Sequence, residues 1–535
     1  MMKSASAKAV LWLLFNVLFL RCALAQDAKG GPIPRVKIPK QQVHSAARRA
    51  VFDQEFQAIA DMAMSVPPEF GADAMIRLSE SGKATSAVRT DLLKKAFYLA
   101  QSAEHAVKRG TNEFMPDTRS GSLALAFRIQ NLDRLSLQSR VVTDMLPLNT
   151  KLARELLADI QFPVLEPVDC KEPLTYDVTL FYQTVGLVEH DGFTFKDTNE
   201  GRKLPLLAPY VGSLQSHAQI RPAAELLANA DLSAVDLGQL SNMFADALSE
   251  LHGDERSFAS TNMQTDEYSA PGSIARLIAV LDARNIPSVA LLRAFREYLV
   301  SNFGSDRCAE TAKKSTDNTL LPDAIQYFNQ HFRLALEKNQ ILPIAGDELK
   351  GGRIGPKFVD TSFWQSPEAK QLEAGARELR FGNGAKRLTA SDKVKSGWSS
   401  QLLDFLTKLG AWKPESEPAV DYFCQKSILY SLLIDVVPSG PERSKVISDF
   451  VEFLEQNSVQ PASRIEWILP VERLLSGAVA ADDRDEVVQA FLNSRDPVLS
   501  LYARLENWEP RKKRPASKRI TGLRIPKNDY GRNHG

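Results

Sequence analysis

The chain has 535 residues, 44% apolar and 24% charged, which excludes a disordered polymer and exceeds what one hydrophobic core usually holds. Its net charge of +1 hides an uneven spread: +3 on residues 1–25 and +8 on residues 511–535 leave −10 on residues 26–510. The expectation is an acidic globular body with a basic end.

Residues 1–25 have the form of a secretory leader. Lys3 and Lys8 precede an apolar run, AVLWLLFNVLFL, too short to span a bilayer. Ala23-Leu24-Ala25 is the small-x-small pattern that a signal peptidase reads, so the expected mature chain starts at Gln26. Cys22 offers a lipidated start instead, but Arg21 stands where lipidation needs a small residue. No Arg pair precedes the run, so the general secretory route is expected. Such a chain crosses unfolded, which argues against a cofactor inserted in the cytoplasm; none is expected. The mature chain has no second long apolar run, and the expected location is periplasmic or extracellular, in soluble form.

Residues 26–42, QDAKGGPIPRVKIPKQQ, read as a Pro/Gly/Lys linker. From Val43 the pattern is helical. TDLLKKAFYLAQSAEHAVK puts Leu93, Phe97, Ala100, Ala103 and Val107 on one face, with Thr90 as a candidate cap. DVTLFYQTVGLVEHDGFTF is the strongest strand candidate, yet helix with a turn at Asp191-Gly192 is preferred. SIARLIAVLDARNIPSVALLRAFREYLV predicts two helices broken at Asn285-Ile286-Pro287. Residues 345–396 are rich in Gly, Lys and Ser, with a short helical patch at SPEAKQLEAGARELR. SILYSLLIDVVPSGPERSKVISDFVEFLEQ predicts a hairpin that turns at Pro438-Ser439-Gly440-Pro441. In SRDPVLSLYARLE, Asp496 and Pro497 form a cap and first-turn pair.

The fold expected is all-α: antiparallel helical hairpins in an irregular α-solenoid or α-α superhelix. Two lobes are expected, residues 43–344 and 397–510, joined by 345–396. KKAFYLAQSA resembles half of a tetratricopeptide repeat, but the pattern does not recur.

The motifs of the common secreted hydrolases are missing, so no catalytic residue is assigned. Two clusters mix histidine with acids: Glu189, His190 and Asp191, and Glu250, His252, Asp254 and Glu255. Such donors bind zinc only if they converge, and adjacent residues point apart; no metal site is expected. ADDRDE (481–486) matches DDxxE but opens a helix, where acids complement the dipole. DTNEG (197–201) lacks the glutamate that an EF-hand needs at its twelfth position, where Ala208 stands.

The mature chain keeps Cys170, Cys308 and Cys424, an odd number. Cys170 and Cys308 lie in loop-like sequence and form a candidate disulfide; three unbridged thiols are the alternative. Cys424 sits on an apolar helix, a poor place for a thiolate.

PPEFGADAMIRLSESGK (67–83) and NSRDPVLSLYARLE (493–506) resemble stretches in a group of exported, mostly helical bacterial proteins. The resemblance implies helical fold and export, and it carries over no active site. The basic end, WEPRKKRPASKRITGLRIPKNDYGRNHG, has the composition of a solvated tail. It would be drawn to an envelope protein, an anionic polymer or a lipid surface, or fold back on the acidic body. Nucleic acid is not an expected partner of an exported chain. VKIPK (36–40) and LRIPK (523–527) share one pattern, which suggests a common extended docking segment or chance. These features favour a binding scaffold or adaptor; the alternative is a hydrolase or lyase acting on an envelope or extracellular polysaccharide.

Overall fold

The computed structural model describes residues 54–81, 84–110, 131–166, 168, 175–252, 269–303, 320–330, 339–344, 364, 366–381, 397–414, 419–438, 440–457 and 481–508. The expected leader 1–25 with Cys22, Ala23 and Ala25, the expected start Gln26, the expected linker, Cys170, Cys308, Asp254, Glu255 and the basic end all lie outside them. Met1–Glu55 form one compact unit, described only at residues 54 and 55, both helical. The remaining helices belong to a second unit, Phe56–Gly535.

The chain is all-α. Among the described residues the exception to helix and loop is one antiparallel two-residue pair, β1 (Arg109–Gly110) with β2 (Thr175–Tyr176). The helices are α1 (Pro68–Glu80), α2 (Ser86–Ala100), α3 (Arg134–Met145), α4 (Thr150–Asp159), α5 (Thr179–Asp191), α6 (Phe195–Asn199), α7 (Lys203–Val211), α8 (Ile220–Asn229) and α9 (Ala234–Glu250). They continue with α10 (Ala270–Ala283), α11 (Val289–Phe303), α12 (Leu320–Gln330), α13 (Pro367–Phe381), α14 (Trp398–Ala411), α15 (Ala419–Val436), α16 (Pro441–Asn457), α17 (Ala481–Leu492) and α18 (Pro497–Trp508). No described helix is long and apolar enough to cross a membrane.

The sequence that most resembled a strand is α5. It buries Phe181, Tyr182, Thr184, Val185, Val188 and Glu189, which recur at three- and four-residue intervals and so gather on one face of a helix. The break after α10 falls where expected. Asn285 takes φ +58°, and Ile286 N–H donates back to the Leu281 carbonyl at 2.9 Å, closing the helix end in the left-handed manner that Asn tolerates.

One expected cap moves. Helix α2 starts at Ser86, not beyond Thr90, and Thr85 caps it by accepting from Val88 N–H. Thr90 lies inside the helix, where its hydroxyl donates to the Ser86 carbonyl at 2.8 Å. The helix ends at Ala100, so Ala103 and Val107 are buried from the following loop.

Contacts run along the chain. α1 packs on α2, α2 and α1 on α3, α3 on α5, α5 on α8, and α8 on α10. α13 packs on α14 and α15, although it arises from the segment expected to separate two lobes. α15 then meets α16, α16 meets α17, and α17 meets α18. The last of these packs against the first: α18 lies on α1. Helices of both expected lobes thus fall within one compact unit.

Candidate functional site

The chemistry-bearing cluster that the sequence marks most clearly, Glu189-His190-Asp191, forms the end of α5. It lines a cleft of about 420 Å³ between α5 and α8. Tyr182 and Gln183 line the α5 wall, and Glu225 and Asn229 the α8 wall. Successive residues of a helix point about 100° apart, so the three cluster members divide. Glu189 turns inward and is buried, 2.8 Å from Lys203 Nζ of α7. His190 and Asp191 stay at the rim, both more than half exposed, with Nδ1 and Oδ1 2.7 Å apart.

Each carboxylate of the cleft has a basic partner. Lys203 serves Glu189 and also donates to the Asp231 carbonyl at 2.9 Å. Arg221 Nε donates to Glu225 at 3.1 Å, and the Ser273 hydroxyl reaches the same oxygen at 3.2 Å. Tyr182 hydroxyl donates to the Tyr210 carbonyl at 2.9 Å and accepts from Gln219 at 3.1 Å; burial pushes its pKa up. The acids of the cleft are therefore held in fixed positions, each beside a basic group. Lys203, Arg221 and Glu225 were not singled out from sequence, because each becomes part of the site only through a neighbouring helix.

The second cluster does not join the first. Glu250 ends α9, and His252 lies two residues on. His252 acts electrostatically on His217, which is fully buried in a 3₁₀ turn (His217–Gln219). Tyr298 of α11 meets His217 Nδ1 at 2.8 Å, and burial, then the His252 charge, draws the His217 pKa down to about 3. Among the described residues no group of three His, Cys, Asp or Glu side chains is gathered as a metal ion would need. Asp197 of the DTNEG stretch caps α6 in a box with Thr194 and pairs with Arg154 at 3.2 Å. Cys424 is buried on α15.

A second polar assembly was invisible in sequence. Asp73 and Arg77 stand four residues apart on α1; Tyr502 and Glu506 stand four apart on α18. The two pairs face each other across 429 residues of chain. Tyr502 hydroxyl donates to Asp73 Oδ2 at 2.9 Å, and Arg77 Nη2 lies 2.5 Å from Glu506 Oε1. Arg140 of α3 completes the set, 2.7 Å from Asp73 Oδ1. All five side chains are buried. Burial alone lowers the Arg140 pKa; Asp73 and then Glu80 outweigh it, so the guanidinium is held charged. The stretches in this clamp are those of the resemblance, 67–83 and 493–506; the i, i+4 spacing puts each pair on one helix face and does not reveal that the two faces meet.

Compared with protein-family models, curated proteins and solved structures, the chain matches none.

Proposed function

We propose that this protein is an exported helical scaffold that acts by binding, and that its basic segment 511–535 engages an anionic partner: an envelope protein, a polymer or a lipid surface. The ground for export is the leader-like start, and the ground for the partner's charge is the nine basic residues of the segment. The observation that carries the reading is the clamp. The basic segment follows α18 in sequence, and α18 is fixed to the body by Tyr502, Glu506 and the buried Trp508. The clamp supports the reading because it fixes where on the body the chain leaves α18 toward the basic residues.

The test uses the mature chain from Gln26 with and without residues 511–535. Flotation with phosphatidylglycerol vesicles, with phosphatidylcholine vesicles as control, reads lipid binding. Retention on an acidic polysaccharide column reads polymer binding, and cross-linked capture from envelope fractions reads a protein partner. Binding in any arm that needs the segment and weakens with salt supports the proposal. Binding indifferent to the segment, or none in all three arms, overturns it.

A second reading, hydrolase or lyase, draws on the carboxylate-lined cleft of α5 and α8. Glycoside cleavage needs two carboxyl groups aimed at one bond. In this cleft each acid is instead turned to its own base, which favours recognition over cleavage. Release of reducing ends from envelope polysaccharide by the wild type, lost in Glu225→Gln, would reverse that preference.

A further inference from the structure

A second concavity, a groove of about 460 Å³, lies where α14, α15 and α16 meet. Lys426 lines it from α15, with Leu403 and Thr407 of α14 and Phe453 of α16 around it. This lysine is only 5% exposed. Its Nζ donates to the Trp412 carbonyl and to the Tyr422 hydroxyl, each at 3.0 Å. It also stands 5.3 Å from the ring centres of Tyr422 and Phe453. Among the described residues no carboxylate forms an ion pair with it. Of the two carboxylates in the groove, Asp449 pairs with Lys445 at 3.0 Å and Glu452 accepts from Gln456 at 3.1 Å.

The surroundings make the ammonium easier to deprotonate than that of an ordinary lysine. Burial, then the charge of Lys413, draws the Lys426 pKa down to about 8. The other charged groups of the groove are Lys445, Asp449 and Glu452, all on α16. Tyr422 and Tyr430, on the lysine's own helix, have pKa values pushed up by burial and so keep their protons. A lysine desolvated in an apolar pocket is an activated nucleophile toward carbonyl carbon.

We propose that this groove is a covalent binding site for a small hydroxyaldehyde, with the Lys426 amine as nucleophile. The nitrogen lone pair attacks the carbonyl carbon while the C=O π bond breaks. The new alkoxide takes up the proton that leaves nitrogen. The resulting carbinolamine then loses its hydroxyl and the remaining N–H proton as water, forming C=N. Amine plus aldehyde give imine plus water, with no oxidant, reductant or cofactor. Tyr422, whose hydroxyl touches Nζ, is placed to relay the proton. Thr407 and Gln456 in the wall offer hydrogen bonds to the hydroxyl of the ligand.

The experiment treats the folded full-length mature chain with glycolaldehyde and cyanoborohydride at about pH 7.5 and follows each lysine by peptide mass. The neutral fraction of an amine near pKa 8 exceeds that of an ordinary lysine by about a hundredfold. Even with reduced nucleophilicity, Lys426 should label at least about tenfold faster than the exposed Lys370 and Lys408. Its rate should saturate with glycolaldehyde, and urea should abolish the preference. Tyr422→Phe should slow labelling while leaving the site specific. Labelling of Lys426 no faster than the exposed lysines, protection until unfolding, a rate linear in aldehyde, or preferred labelling of Lys445 each overturn the proposal.

Discussion

Lys203 and Lys426 are buried alike, at 4% and 5% exposure, and are held in opposite ways. Lys203 meets a buried carboxylate, Glu189, and its charge is compensated. Lys426 meets a carbonyl, a phenol and two aromatic rings, all neutral. A buried cation with a counterion belongs to the frame of the molecule. A buried amine with neutral partners is inclined to lose its proton, and is then available for chemistry. The same contrast separates Arg140, held charged by Asp73, from His217, held neutral beside Tyr298.

The largest effect that can break this comparison is on stability. Glu189→Gln removes the buried ion pair and leaves Lys203 only the exposed Asp231 carboxylate at 3.4 Å, and should cost about 3 kcal/mol in denaturant unfolding. Lys426→Met should cost less than about 1.5 kcal/mol, because it removes a poorly compensated cation and keeps the side-chain volume. The Trp412 carbonyl retains a donor in that variant, the Tyr422 hydroxyl at 2.9 Å. Equal losses in the two variants would mean that Lys426 is as structural as Lys203.

A pH series sharpens the comparison further. His217 has its pKa drawn from 6.5 to about 3, so between these values the unfolded chain binds the extra proton. Stability is therefore full above about pH 6.5 and falls as the pH drops toward 3, by up to about 1.4 kcal/mol per pH unit from this group. His217→Gln keeps a neutral hydrogen-bonding side chain beside Tyr298 and should flatten that slope. An unchanged slope in the variant would place the acid sensitivity elsewhere.

What the sequence reveals of this fold is local. Apolar spacing distinguishes α5 from a strand, and Asn285 marks a helix break, because both depend on neighbours within a few residues. The cleft is half legible: Glu189, His190 and Asp191 stand out as a cluster, but Lys203, which holds Glu189, comes from α7, and Glu225 with its base Arg221 comes from α8. The clamp is not legible, since Asp73 finds Tyr502 only after the intervening helices have packed. Lys426 has a faint signal in sequence, a lone lysine in the apolar helix DYFCQKSILYSLL with tyrosines four residues to either side, Tyr422 and Tyr430. One helix turn brings the Tyr422 ring to the amine, and the second ring, Phe453, comes from α16. What sequence alone does not reveal is that no acid from α16 arrives to compensate it.

The smallest effect concerns a carboxylate satisfied by backbone alone. Asp496 Oδ1 accepts from Val498 N–H at 2.9 Å and from Leu499 N–H at 3.0 Å, which caps α18. Its partners are dipoles, so its loss strands no charge, and Asp496→Ala should cost about 1 kcal/mol. Because α18 also carries Tyr502 and Glu506, the same unfolding curves test whether the cap and the clamp act independently. Asp496 lies more than a helix turn from Tyr502, and Asp496→Ala combined with Tyr502→Phe should be additive within about 0.5 kcal/mol. A larger coupling would mean that the first turn of α18 forms only when its far end is docked on α1, making the clamp a determinant of the helix itself.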